Sequence, residues 1–304
     1  MSRFVVTGAN GLVGRRACAL LAAKGHAVVG LGRGPRRVAG AFDYEALDLT
    51  READVAPVLS RLSPEVVLHC ASMTEVDACE KAPEAAYAAN VTASAAVARW
   101  AHGAHAHLVH VSTDYVFDGD AGPYGEDAVP NPRGVYAVTK HLGEQAARVL
   151  APGCAIARTA VVYGWPPVEG RLNFGAWLVK TLSAGQPVKL FEDQVVSPTF
   201  AQNVAAMLVE LGERRLGGTW NTSGATVLDR VAFGRALCEV FGFDAGLVVP
   251  TRMADLKLSA PRPLRSGLRT DKAREQLAEK PLALAESLRR FHASWLQVQA
   301  GEAG

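Results

Sequence analysis

Residues 3–14 read RFVVTGANGLVG, and this stretch decides the fold. Phe4–Thr7 is a short apolar run, the form taken by a strand buried on both faces. Gly8, Gly11 and Gly14 follow at once and lead into the helical pattern LVGRRACALLAAKG. Each glycine has a physical task. Gly8 permits a tight turn, Gly11 lets backbone approach a pyrophosphate, and Gly14 lets the helix pack closely on the strand. The helix N-terminus then offers N–H groups and a partial positive charge to phosphates. Asn10, Leu12 and Val13 fill out the loop, which reads as a dinucleotide-binding turn.

Outward from this turn, short apolar runs alternate with amphipathic ones. Strands are expected at Phe4–Thr7, Ala27–Leu31, Tyr44–Leu47, Val66–Cys70, Leu108–Val111 and Cys154–Arg158. Helical patterns such as PEAAYAANVTASAAVARWA separate most of them. Strands joined by helical crossovers imply a parallel sheet covered on both faces, with right-handed connections. The fold class is therefore α/β, a Rossmann-type doubly wound sheet. After about Tyr163 the rhythm changes. WPPVEG is turn-rich, Phe174–Ser183 is helical, Val188–Phe191 is a strand, and a helix surrounds Ala201–Leu211. Trp220 sits in another short strand, and Thr226 with Asp229 forms a capping box for the helix that follows. The tail LALAESLRRFHASWLQV is helical. The expected division is 1–165 for an NAD(P)-binding domain and 166–304 for a smaller C-terminal α/β substrate lobe, with the chain able to cross back between them.

Composition narrows the class. With 304 residues, 49% of them hydrophobic, the chain can bury a large core. Its 32 basic and 30 acidic residues nearly balance, which argues against a nucleic-acid or membrane-surface partner. No apolar stretch is long enough to span a bilayer. The five cysteines are scattered and form no CxxC, as expected for free thiols in a reducing compartment. The opening strand runs straight into the glycine loop, so a cleaved leader is not expected, and the cytoplasm is the expected location.

The end of the second strand speaks to cofactor choice. An acidic side chain there would bond the ribose 2′-hydroxyl of NAD and repel a 2′-phosphate. Here the stretch is VVGLGRGPRR: Gly32 takes the acidic position, and Arg33, Arg36 and Arg37 follow. Guanidinium groups suit a phosphate in shape and charge, so NADPH is favoured, with NADH possible. Arg33 is the strongest candidate of the three.

HVSTDYVFDG ends the fifth strand and GVYAVTKHLGEQ opens the next helix. Tyr136 and Lys140 are four residues apart and share a helix face. Thr113 lies at the carboxyl end of a parallel strand, where ligands bind in such sheets. This set suits carbonyl reduction. Hydride reaches the carbonyl carbon, charge develops on the oxygen, and Tyr136 donates the proton. A free tyrosine has a pKa of about 10, so the Lys140 ammonium is expected to tune it and to hold the nicotinamide ribose. Thr113 is expected to hydrogen-bond the carbonyl oxygen.

The spacing GxxGxxG, with YxxxK and the STD strand end, resembles the extended short-chain dehydrogenase/reductases. SMTEVDACEKAPEAAYAANV, STDYVFDG, RTAVVYG, EDQVVSPTF and RPLRSGLRT resemble, more narrowly, the dTDP-4-dehydrorhamnose reductase family, over nearly the whole chain. That resemblance implies NAD(P)H-dependent reduction of the 4-keto group of a dTDP-linked 6-deoxysugar. It implies cofactor contacts from Asp48, Leu49, Cys70, Ala71 and Ser72, and an active-site Asn90 in the crossover helix. Thr74, Val76, Tyr115 and Gln194 would line the sugar site, and Asp193 and Thr199 would shape it or its lobe contact. Many members carry an aromatic residue where this chain has Val161, so a stacking wall is smaller here. A homodimer is a possible assembly. Two alternatives remain: an NADP-binding regulatory or partner protein without turnover, and a reductase or epimerase of another carbonyl compound.

Other features read as bland. His102, His105, His107 and His110 lack a carboxylate to complete a ligand set, so no metal is expected. Cys70 reads as a packed wall residue. Trp177 reads as a packing residue, with base or sugar stacking as the alternative. Arg262, Arg265 and Arg269 could hold a diphosphate or lie on the surface.

Overall fold

A computed structural model describes residues 1–301 except Val38, Pro167, Glu169 and Gly170. Part of the turn-rich WPPVEG segment therefore lies outside the described residues. Six strands alternate with helices in the first half: β1 (Arg3–Thr7), β2 (Ala27–Gly32), β3 (Asp43–Ala46), β4 (Val66–His69), β5 (His107–Thr113) and β6 (Ala155–Thr159). Between and after them come α1 (Gly14–Ala23), α2 (Glu52–Leu62), α3 (Val76–Lys81), α4 (Pro83–Tyr87), α5 (Ala93–Gly103) and α6 (Val135–Leu150). Then follow β7 (Val162–Tyr163), α7 (Phe174–Ser183), β8 (Val188–Phe191), β9 (Val195–Val196), β10 (Thr199–Phe200), α8 (Ala201–Glu213) and β11 (Gly218–Asn221). The chain ends with β12 (Leu228–Asp229), α9 (Arg230–Phe241), β13 (Val248–Thr251), α10 (Asp271–Gln276) and α11 (Leu284–Gln299).

One parallel sheet of seven strands runs in the order β11-β6-β5-β4-β1-β2-β3. Its order reverses between β1 and β4, and the crevice at such a switch point is where open α/β sheets bind ligands. The strands are apolar because both faces are covered. On one side Phe4, Val6, Ala17, Leu21, Leu208 and Trp220 pack with α1 and α8. On the other, Val5, Val67, Leu108, Val55, Val97 and Ala147 pack with α2, α5 and α6. Among the described residues no helix is long and apolar enough to cross a membrane.

The smaller lobe closes around Tyr163, Leu178, Leu190, Phe233, Phe241 and Phe291. Its strands form three two-stranded sheets, β7 with β10, β8 with β13, and β9 with β12. The two lobes are woven together. Helix α8 packs on α1, and β11 extends the main sheet beside β6 in parallel register, with Trp220 opposite Ala157.

Two local expectations are corrected. Asp229 is itself the N-cap of α9, accepting the Ala232 N–H at 2.8 Å. Thr226 takes no part in a capping box there; its hydroxyl accepts the Leu284 N–H at the start of α11. The crossover pattern at 83–101 is also not one helix. A π turn at Ala88–Thr92 separates α4 from α5, a device common at functional sites.

Candidate active site

The carboxyl ends of β1, β2, β4 and β5 open into one cleft of about 860 Å3, closed from the other side by the small lobe. The glycine loop forms one end. Gly8 has φ +68°, and a Cβ there would lie 2.9 Å from the Ala71 nitrogen. A Cβ at Gly14 would lie 2.3 Å from the Gly8 carbonyl oxygen, so both positions demand glycine. The Gly11 N–H donates to the Gly8 carbonyl at 2.8 Å and closes the turn. Asn10, Leu12 and Val13 border the cleft beside it. Bare backbone at a helix start, facing open space, fits a pyrophosphate.

Asn10 fastens this loop to the end of β2. Its Nδ2 donates to the Tyr44 hydroxyl at 2.9 Å and its Oδ1 accepts the Arg37 N–H at 2.9 Å. Tyr44 is a residue that sequence reasoning missed. A Cβ at Gly32 would meet its hydroxyl at 2.9 Å, so the phenol stands where an acidic side chain would project. Arg33 and Arg37 border the cleft. Arg36 turns away, its guanidinium 4.3 Å over the Phe42 ring and donating to the Phe42 and Gly40 carbonyls.

Asp48 and Leu49 border the same end. The Thr50 hydroxyl and N–H both donate to the Asp48 carboxylate, which holds its pKa below the ordinary value. Cys70, Ala71 and Ser72 form the wall beyond β4. Burial pushes the Cys70 thiol up to about 12, so it is an inert wall rather than a nucleophile.

Asn90 stands apart from the cleft wall. It is buried in the π turn, and four hydrogen bonds satisfy its amide. Its Oδ1 accepts from the Ser72 hydroxyl and the Met73 N–H, each at 2.8 Å. Its Nδ2 donates to the Met73 carbonyl and the Thr139 hydroxyl, each at 3.1 Å. It therefore ties the wall after β4 to α6 between Tyr136 and Lys140.

Tyr136 and Lys140 project from α6 into the cleft, and both are buried. Burial pushes the Tyr136 phenol well above its ordinary value; the Thr113 hydroxyl opposes the rise and the Asp114 charge adds to it. The phenol is thus protonated at neutral pH, as a proton donor must be. Lys140 Nζ donates to the Val111 carbonyl at 2.7 Å. Burial depresses its ammonium to about 8, against the opposing Glu144 charge one turn along. Glu144 is itself gripped by Arg158 of β6, through two bonds of 2.9 and 2.8 Å, in a pair 0% and 2% exposed.

The residues expected at a sugar site share the cleft with Tyr136. Thr74, Val76, Tyr115, Val161 and Gln194 all border the cleft. Tyr115 meets Tyr136 edge to face, centroids 5.5 Å apart. The Thr74 hydroxyl accepts from Arg171 at 3.1 Å. Gln194 accepts from Arg230 Nε at 2.9 Å. Val161 has φ +42°, a strained value for a β-branched residue. Asp193 and Thr199 serve the lobe instead: Asp193 caps the Met253 N–H and Thr199 accepts the Gly224 N–H.

Of the three suggested diphosphate arginines, only Arg262 borders the cleft, paired with Asp77 at 2.6 Å. Arg265 donates to the Asp120 carbonyl and Arg269 pairs with Asp271. Arg230, which the sequence reading passed over, lies in the cleft wall with its guanidinium 4.4 Å over Phe174. Its place at the first turn of α9 was legible only once Asp229 was known as the cap. Trp177 stands at the rim, 36% exposed, 6.1 Å from Phe174. The four histidines do not converge. His102, His105 and His107 line a separate small cavity, while His110 is buried beside His69, ring centroids 5.4 Å apart. Among the described residues no three His, Cys, Asp or Glu side chains gather as a metal site.

The model of the RmlD substrate binding domain family matches residues 2–296. The probable low-salt glycan biosynthesis reductase Agl14 of Haloferax volcanii is 36% identical over 294 residues, covering 95% of this chain and 97% of the relative. A dTDP-4-dehydrorhamnose reductase of Streptomyces griseus is 36% identical, covering 88% of this chain and 85% of the relative. The methionine adenosyltransferase 2 subunit beta of Xenopus tropicalis is 34% identical, covering 86% and 78%. Among solved structures, a dTDP-4-dehydrorhamnose reductase from Bacillus anthracis in complex with NADP superposes with a TM-score of 0.82 at 26% identity, over 96% of this chain and 99% of that one. With the glycine loop, the Tyr136–Lys140 pair and the woven small lobe all in place, the chain belongs to the RmlD-like, dTDP-4-dehydrorhamnose reductase-related family of extended short-chain dehydrogenase/reductases.

Proposed function

We propose that this protein is an NADPH-dependent reductase of the 4-keto group of a dTDP-linked 6-deoxysugar. The observation that carries the reading is the convergence of Thr113, Tyr136 and Lys140 in the same cleft as the glycine loop. The residues fit the cofactor. Gly8, Gly11 and Gly14 leave backbone bare for the pyrophosphate, Arg33 and Arg37 border the place of a 2′-phosphate, and Lys140 would hold the nicotinamide ribose. When bound, the reduced nicotinamide supplies the hydride for the carbonyl carbon.

The chain's own residues do the rest. Tyr136, kept protonated by burial, delivers its proton to the developing alkoxide. Lys140 brings a positive charge into the same cleft as that phenol. Tyr115 and Gln194 border the sugar, and the closing lobe excludes water, which strengthens each electrostatic contact. The relatives named as dTDP-4-dehydrorhamnose reductases support the substrate class.

The test is NADPH oxidation with dTDP-4-dehydrorhamnose, followed by absorbance. Tyr136→Phe should abolish turnover while NADPH affinity stays nearly the same. Unchanged turnover in that variant sinks the mechanism. Tight NADPH binding without oxidation of any nucleotide-keto-sugar would overturn the reductase reading.

A further inference from the structure

Asp114 follows Thr113 directly and is 2% exposed, a carboxyl sealed in the wall of the cleft. Two hydroxyls reach it. Thr113 Oγ1 donates to its Oδ1 at 3.1 Å, and Ser266, from the far loop of the small lobe, donates closely to its Oδ2. The Tyr115 N–H in turn donates to Thr113 Oγ1 at 3.2 Å. A hydroxyl has one proton and two lone pairs. With Asp114 ionised, the proton of Thr113 is spent on the carboxylate and one lone pair is spent on Tyr115. Only a lone pair is left for the cleft. Thr113 then cannot donate to a carbonyl oxygen or to a Tyr136 phenolate.

We propose that Asp114 sets the hydrogen-bonding polarity of Thr113, and that the reductive step proceeds through the form in which the Asp114 carboxyl is neutral. A neutral carboxyl donates its own proton to Thr113 Oγ1. That frees the threonine proton for the oxygen on which charge develops. It also removes a negative charge from beside that oxygen. In passing from the ionised form the pair takes up one proton from solvent; that proton lies in the bond from Asp114 to Thr113, and the Thr113 proton turns into the cleft. Asp114 is a positioning residue, acting through Thr113. The inference rests on the proposed reductase reading.

The surroundings suit a carboxyl that changes state near neutrality. Burial pushes Asp114 up to about 6, opposed by the Ser266 and Thr113 hydroxyls and by the Arg230 charge. Arg230 approaches from α9, and Tyr115 and Tyr136 face the carboxyl from β5's following turn and from α6; the Asp114 charge raises both phenols. Arg262 adds its charge to Tyr115 and Arg230.

The experiment is the pH profile of kcat/KM for dTDP-4-dehydrorhamnose, with saturating NADPH, for the wild type, Asp114→Asn and Ser266→Ala. The wild type should show a limb with a midpoint near the Asp114 value of about 6, above which the rate falls by roughly tenfold per pH unit. Asp114→Asn is neutral at every pH, so it should lose this limb and outrun the wild type at pH 8. Ser266→Ala removes a donor to the carboxylate and should move the limb to higher pH. A limb unchanged in Asp114→Asn, or a wild-type profile flat from pH 5 to 8, overturns the inference. NADPH titration by tryptophan quenching checks folding. If Asp114→Asn fails to bind NADPH, the direction of the Ser266→Ala shift decides. A turning-over Tyr136→Phe would instead fault the reductase mechanism itself.

Discussion

Replacing Arg158 by Met would strip the Glu144 carboxylate of its two direct bonds in the core, leaving the looser Arg148 contact at 3.9 Å. Glu144 and Arg158 are 0% and 2% exposed, and two direct bonds join them. Burial raises the Glu144 pKa, but the Arg158 bonds and charge outweigh it, and the net value lies below the ordinary one. A depressed carboxylate contributes stability above its unfolded value and loses it as pH falls through the folded one. Breaking such a pair from one side costs about 3–5 kcal/mol, because the remaining charge is stranded. For a chain of this size that is a fall in Tm of roughly 5–8 °C. The Arg158→Met variant should therefore unfold at clearly lower urea at pH 7, and the deficit should shrink towards pH 5 as Glu144 takes up a proton. The double variant Glu144→Met/Arg158→Met removes both charges and should recover to within about 1 kcal/mol of the wild type. Urea melts at both pH values measure this. A single variant that loses less than about 1 kcal/mol, or a double variant as unstable as the single, would refute the account of the buried pair.

Three further outcomes follow from the site. Arg33→Asp should weaken NADPH far more than NADH, measured by fluorescence titration; equal losses would show that Arg33 does not meet the 2′-phosphate. Lys140, depressed to about 8, carries its charge below that pH and loses it above, so NADPH affinity should decline from about pH 8 upward; constant affinity to pH 9.5 would contradict the ribose role. Gly14→Ala would press a methyl group 2.3 Å from the Gly8 carbonyl, so NADPH binding should drop by at least tenfold even where circular dichroism shows a folded chain; wild-type affinity would deny the tight turn.

The parts of this molecule that a sequence shows well are those whose side chains act locally. TGANGLVG specifies its own turn, and the apolar strands declare themselves by composition. Trp220's strand was visible, but a four-residue strand carries no mark of its partner, and its pairing with β6 follows from tertiary packing. Thr226 and Asp229 had capping-box spacing, yet the helix began one step after Asp229, since the aspartate alone satisfies the Ala232 N–H. The π turn escaped notice because its alanine-rich stretch has no breaker. Arg230 was missed because it reaches the cleft from far outside any motif, whereas Tyr44 and Ser266 act through other residues, Tyr44 on Asn10 and Ser266 on Asp114, contacts that only the fold creates.

The return of α8 and β11 to the first sheet has a bearing on protein engineering. A cut at residue 165 would remove α8 from the layer it shares with α1 and expose β6 as a raw edge, inviting strand-to-strand aggregation. A swap of C-terminal halves at that one point would therefore exchange α8 and β11 of the main sheet along with the smaller lobe. A working chimera has to be stitched at several junctions, keeping 201–221 with the nucleotide lobe while exchanging the segments on either side.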